Sequence, residues 1–476
     1  MTRTMLLCTL LVLLGASALM AGAPQPGEPD LKQLLADLKS DNGDTKLNAI
    51  KALADIGPKA EAAIPDLIAA VRSNDHHLQL NAAIALGKIG KAAVPELTKS
   101  LNDDDANVRY YAVWSLGLVG DNGKDATAVV LKLLADKDEG VRRKAAFTVG
   151  RIKPDGAIAF PELLVVLGDK NADVRRAAAD ALVQYGGQAV PELAKALKND
   201  HLESQLEAMY SLGAIGPDAK ETINELNAML SGGNVRLAPA AAQTLARIGK
   251  ASLPTLVCGL NSADVTVRYY SLAALEKMAH DAVPALVDAV GSKHNDVRRR
   301  ALWILAPLQL SDKTVVIAFA GALKDTDDDV RAMASHALQN CGNAATPALA
   351  QLIAGLGDSR SSVRLNCAHA IGNIGPAAKE AVPQLIAGLT SKDSHLRLPC
   401  AIALGKIGPG AKLAVPALIA GLDDQESWLR IQCAESLGQV GPDAMEAVPA
   451  LTKALNDSNG AVRSSAKLAI SQIEKK

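Results

Sequence analysis

The sequence predicts an all-α protein, an α-solenoid of about fourteen stacked helix pairs. Three observations carry that reading. A motif built on Val-Arg and closing Leu-Gly-x-Ile-Gly returns every 30 or 33 residues, a period typical of arrays whose units cannot bury an apolar face alone. Inside each unit the apolar residues recur at helical spacing. The chain of 476 residues is 49% apolar yet only 3% aromatic, too few rings for most β-sandwiches and barrels. Fifty Lys and Arg against 51 Asp and Glu give a formal charge of −1, without the basic excess of a nucleic-acid binder.

Taken from the N-terminus, residues 1–23 differ from the rest. Arg3 supplies a short positive start, Met5 to Met20 runs without a charge, and Ala21-Gly22-Ala23 offers the small residues of a cleavage site. The expectation is a cleaved secretory signal peptide, followed over residues 24–30 by a short Pro/Gly linker. Pro24 is unfavourable directly after a cut, so a retained N-terminal anchor is the alternative. Export places the protein in the periplasm or outside the cell. Cys8 lies inside the apolar run, too early for a lipoprotein cysteine. No later segment reads as apolar enough to cross a bilayer.

Residues 31–476 read as one solenoid rather than several domains. Aligning on the Arg slot gives positions 46, 79, 109, 142, 175, 205, 238, 268, 298, 331, 364, 397, 430 and 463, with nine intervals of 33 residues and four of 30. The short intervals have one cause: closing glycine and next proline stand five apart, as Gly90 and Pro95 do, instead of eight, as Gly408 and Pro416 do. The first helix of each unit opens at an apolar residue plus Pro, as in Val94-Pro95 and Val415-Pro416, where proline needs no intrahelical donor. An L-x-x-x-L spacing follows, as in Leu385 and Leu389. A polar turn then puts Asp six residues before the Arg in seven units: Asp103, Asp136, Asp169, Asp325, Asp358, Asp424 and Asp457. The second helix sets small residues three and six positions after the Arg slot and large ones at seven and ten, as in Ala82, Ala85, Leu86 and Ile89. At 100° per residue these form one face, and glycine ends the helix. Lys46, Gln79, Gln205 and Ala238 depart from Arg; Val235-Arg236 comes two residues early, before Pro239, so a local distortion is expected there.

Units such as Val108-Arg109…Leu116-Gly117-Leu118-Val119-Gly120 and Leu396-Arg397…Leu404-Gly405-Lys406-Ile407-Gly408 resemble the HEAT repeat, in the short form also found in the phycobilisome lyase family. The resemblance covers about residues 31–476. It implies a right-handed, armadillo-like α-solenoid and an Asp–Arg ladder tying the turn of one repeat to its neighbour. It also admits a bilin lyase or isomerase activity.

No catalytic constellation is legible. There is no Cys-x-x-Cys, Cys-x-x-Cys-His or His-Glu-x-x-His spacing and no glycine-rich phosphate loop, so neither a metal site nor a cofactor is expected. Of the five cysteines beyond residue 23, Cys367, Cys400 and Cys433 stand 33 apart. They fill the small core slot taken by Ala in other repeats, in layers about 10 Å apart, too far for disulfides.

The aromatic residues are more informative. Positions two, five and nine after the Arg slot point away from the apolar face and are expected to line the concave surface. They hold Tyr111, Trp114, Phe147, Tyr210, Tyr270 and Trp303, with Lys144, Arg151 and Arg300 among their basic neighbours. Interfaces are enriched in Trp, Tyr and Arg. These nine residues are the candidate partner-binding face; the competing reading packs the rings between neighbouring helices. Tyr110 and Tyr269, one position earlier, are expected to be packed. The favoured function is an exported, non-enzymatic scaffold binding a protein or peptide, with the bilin enzyme and a purely structural envelope element as alternatives.

Overall fold

A computed structural model describes residues 30–308 and 310–475. The expected signal peptide, and the linker up to residue 29, lie outside the described residues. Two compact units are present, one ending at Tyr185 and one running from Gly186. Among the described residues there are helices and turns and no strands. Each unit stacks helix pairs in chain order, as the solenoid reading requires.

The first unit holds five pairs: Leu31–Asp37 with Gly43–Ile56, Ile64–Val71 with His76–Ile89, Val94–Ser100 with Ala106–Val119, Thr127–Lys132 with Glu139–Ile152, and Gly156–Val166 with Ala172–Gln184. The second holds nine, from Val190–Leu197 with Leu202–Ile215 to Val448–Ala454 with Gly460–Ile473. Every Arg slot falls on a second helix. The spacing rule reappears as connector length in most repeats: seven-residue 3-10 segments such as Gly408–Ala414 serve seven of the nine long intervals, and three- or four-residue ones such as Gly90–Ala93 the four short ones. The long intervals after Ile152 and Leu305 differ, the first carrying no 3-10 segment and the second the three-residue Ala306–Leu308. Gly408 turns the chain with φ of 69°, a conformation that L side chains avoid.

The two glycines of Leu-Gly-x-Ile-Gly do different work. The second stops the helix; the first is a contact surface. A Cβ on Gly150 would lie 2.9 Å from the Ala181 Cα, and one on Gly438 would lie 3.0 Å from the Ala469 Cα. Neighbouring second helices therefore approach almost backbone to backbone. Hydroxyls six positions after the Arg slot use that proximity. Ser115 donates to the Ala83 carbonyl at 3.1 Å, Thr148 to Val113 at 2.7 Å and Ser436 to Ala401 at 2.8 Å. Such buried hydroxyls need a partner.

A second matched pair ties the two helices of one repeat. Cys367, Cys400 and Cys433 are fully buried, and each faces a glycine of its own first helix: Gly355, Gly388 and Gly421. A Cβ on Gly355 or Gly388 would stand 2.5 Å from the thiol sulfur. Where the core slot holds Ala instead, the facing residue can be larger, as with Ala70 against Ala82 or Ala454 against Ala466.

The polar turns are held by the ladder. Arg109 grips Asp136 of the next repeat with two bonds of 2.8 Å and also donates to the Asp103 and Asp104 carbonyls of its own turn. Arg142–Asp169, Arg298–Asp325, Arg331–Asp358 and Arg430–Asp457 repeat the arrangement. Where Ser292 and Ser391 replace the usual Asp, Arg268 and Arg364 reach Asp296 and Asp393 instead. These pairs are largely buried, with Arg109 and Asp136 side chains 7% and 8% exposed. Bidentate geometry and the extra carbonyl contacts offset desolvation.

Repeat 7 carries the expected distortion. Its second helix is Leu237–Ile248, shortened to 12 residues, and its capping position Arg236 gives no side-chain cap. Arg236 pairs with Glu203 at 2.8 Å, while Val235 is left exposed. One sequence expectation needs correction. The stretch Ser394–Gly421, which contains an 18-residue window of mean hydropathy 1.3, is long and apolar enough by composition to span a membrane. It forms two helices joined through the turn at Gly408 and lies half-buried in the stack, because stacked repeats demand apolar surface on both helices of a pair.

Candidate functional site

The second helices of repeats 3, 4 and 5 are fixed before any binding residue is considered. Asp105, Asp138 and Asn171 cap them by accepting from the Asn107, Val141 and Asp173 backbone N–H groups, a favourable arrangement for otherwise unpaired donors. The Arg109–Asp136 and Arg142–Asp169 rungs then lock each turn to the next.

On this frame the rings and cations converge. The Lys144 ammonium sits 4.9 Å from the Trp114 ring centroid, 5.4 Å from Tyr110 and 5.6 Å from Phe147, within cation–π range of all three. Burial, and secondarily the nearby Arg143 charge, lower the Lys144 pKa. No carboxylate pairs with it among the described residues. Phe147 remains 40% exposed. Beside it runs a groove of about 710 Å³ along repeats 4 and 5, lined by Arg143, Lys144, Arg151, Arg176, Asp173 and Asp180 over a floor that includes Gly150, Ala177 and Ala181. A smaller groove of about 420 Å³ adjoins it, with Tyr110, Asp138, Glu139 and His76 in its wall.

The structure thus brings together Trp114, Lys144, Phe147 and Arg151 from the sequence-derived set. Tyr111 does not join them at the surface. It is 3% exposed, its hydroxyl lies 2.7 Å from His76 Nδ1 of the preceding repeat, and its ring meets Tyr110 edge-on at 5.1 Å. The expected order of the two tyrosines is inverted, since Tyr110 is half-buried and faces Lys144. The preceding second helix covers position two after the Arg slot, which a single-face reading leaves open.

The remaining expected residues belong to the second unit. Tyr210 is half-buried. Tyr270 is half-buried too, while Tyr269, expected to be packed, is 57% exposed, and the two rings meet edge-on at 5.3 Å. Trp303 is 50% exposed under Arg300, whose guanidinium lies 4.2 Å from its centroid and is held by Glu276 at 2.6 Å. Sequence reasoning misses Tyr110, Arg143 and Arg176. The signal for Arg143 and Arg176 is the one that marks Arg109 and Arg142, extended by a basic residue just after Val-Arg.

Chemistry at the three buried thiols is suppressed. Burial pushes Cys367, Cys400 and Cys433 up to about 12, away from the nucleophilic thiolate. Among the described residues no group of three or more His, Cys, Asp or Glu is placed to hold a metal ion.

Comparison with known proteins agrees with the repeat reading. The profile for HEAT repeats matches residues 29–117, 94–160, 160–246, 253–339, 283–355, 349–437 and 415–476. No curated protein matches the chain. Similar solved structures include Kap95p with RanGDP (12% identity, TM-score 0.41, covering 93% of this chain and 70% of that one). Kap121p bound to RanGTP matches at 15% identity and TM-score 0.48, over 93% of this chain and 56% of that one. An engineered protein matches at 21% identity and TM-score 0.31, over 94% and 99%. The chain spans just over half of Kap121p. With the profile running through almost every repeat, the chain belongs to the HEAT-repeat family.

Proposed function

We propose that the protein is an exported, non-enzymatic HEAT-repeat scaffold that holds a protein or peptide partner on the second-helix face of repeats 3–5. The observation that carries this reading is the cluster of Trp114, Tyr110 and Phe147 around Lys144, opening onto the groove of repeats 4 and 5. Aromatic and cationic side chains on a rigid frame supply large contact area at low entropic cost. Export rests on the composition of residues 1–23. The non-enzymatic reading is supported by the buried, raised thiols, which are poor nucleophiles. The test is capture from an envelope extract on immobilised wild-type protein and on a Trp114→Ala, Phe147→Ala variant of unchanged helicity. A protein retained by the first and lost by the second supports the reading. Equal retention moves the site elsewhere, and no retention by either removes the scaffold role.

A further inference from the structure

The arginines of the repeated slot are matched with regularity. Arg109, Arg142, Arg298, Arg331 and Arg430 each hold an Asp of the next repeat. Among the described residues several exposed lysines of the first unit have no carboxylate partner, but two cations without one, Lys144 and Arg151, share one groove. Lys144 is half-buried against rings, and Arg151, exposed one helical turn beyond Phe147, makes no ion pair. Both line the groove of about 710 Å³, a size within the ~300–1,000 Å³ of ligand pockets.

The rest of the lining sharpens the chemistry. Arg143 is only loosely engaged by Asp173 at 3.8 Å, and four cations face two carboxylates on a chain whose overall charge is −1. Phe147 and the small residues Gly150, Ala177 and Ala181 give an apolar strip beside the charges. A half-buried cation without a counter-ion is costly, and a ligand carboxylate would supply one. An apolar strip next to it suits a side chain rather than a bare polyanion.

We infer that this groove binds an acidic peptide segment, in which carboxylates meet Lys144 and Arg151 while an intervening apolar side chain packs on Phe147. The inference rests on the protein-binding reading above and specifies the partner's chemistry. Lys144 is held in register by Trp114 and Tyr110.

The test uses the full chain and fluorescein-labelled decapeptides followed by anisotropy. One peptide alternates Glu with Leu, one alternates Gln with Leu, and one alternates Lys with Leu; short inorganic polyphosphate serves as competitor. The Glu peptide should bind, weaken as salt rises towards ~0.15 M, and lose affinity about tenfold or more in Lys144→Gln, Arg151→Gln. The same variant should retain the ladder and melt as wild type does. The control is Arg463→Gln, which removes a cation from the last repeat and should bind as wild type does. Absence of binding by the Glu peptide, undiminished binding in the variant, equal binding of the Gln peptide, or stronger binding of polyphosphate would each overturn the inference. If the variant still captures the envelope partner while binding no Glu peptide, the scaffold role stands and the acidic chemistry fails. If neither peptide nor envelope protein is retained by wild type, both fail together.

Discussion

Replacing Gly388 by Ala places a Cβ 2.5 Å from the Cys400 sulfur and 3.5 Å from Leu396. Contact between such atoms is favourable near ~3.5–4.0 Å, so the overlap is about 1 Å. Cys400 is fully buried and has nowhere to retreat. Overpacking of this kind costs about 1–3 kcal/mol, and the gain in helix propensity returns about 0.5–1. Gly388→Ala alone should therefore destabilise by up to about 2.5 kcal/mol. Cys400→Ala alone removes one buried atom and should cost about 1 kcal/mol. The double variant recreates the Ala–Ala pair used at Ala70 with Ala82 and at Ala454 with Ala466, so it should match or exceed wild type. Urea unfolding followed by circular dichroism at unchanged slope gives the four stabilities. A coupling of about 1–3 kcal/mol is expected. Additivity within about 0.5 kcal/mol would refute the claim that glycine and cysteine are fitted to each other.

Three further outcomes follow from the same contacts. Asp457 lies below its ordinary value because Arg430 and the Asn459 N–H hold its carboxylate, and Asp393 because of Arg364. A depressed carboxyl stabilises above its unfolded value of ~3.9 and loses that contribution as pH falls through the folded value. Melting temperature should thus stay level from neutral pH to about 5 and drop below about 4, and Asp457→Asn should flatten the drop. Arg109→Ala should cost about 3 kcal/mol by stranding Asp136, and Arg109→Ala with Asp136→Ala should cost less than the two singles summed; a fully additive double would contradict the ladder. A thiol reagent near neutral pH should label exposed Cys258 quickly and reach Cys367, Cys400 and Cys433 only on unfolding; fast labelling of those three would contradict the packing.

Much of the fold is readable because each repeat states the same rules again. The Pro starts, the Asp–Arg spacing and the two connector lengths all reappear as helix ends, rungs and 3-10 segments. Pro239 and the early Arg236 foretell the short helix of repeat 7. The site is harder. A helix in a stack is covered by neighbours on both sides, so burial extends beyond the apolar face that periodicity marks. Periodicity alone assigns Tyr111 to the surface, but the helix bearing His76 covers it. The first glycine of Leu-Gly-x-Ile-Gly looks like part of a helix stop, whereas its contact is with Ala181 or Ala469 of the next repeat. Local pattern does not report a contact that lies a whole repeat away along the chain.

The central claim is that partners engage the second-helix face of repeats 3–5. Photo-crosslinking tests it most directly, with benzoylphenylalanine placed at Phe147 or at Val165, an exposed position on the first helix of repeat 5. In cells producing the full chain, irradiation should yield a discrete protein adduct from position 147 and none from 165. Adducts from 165 alone, or none from 147 at matched expression, would contradict the account.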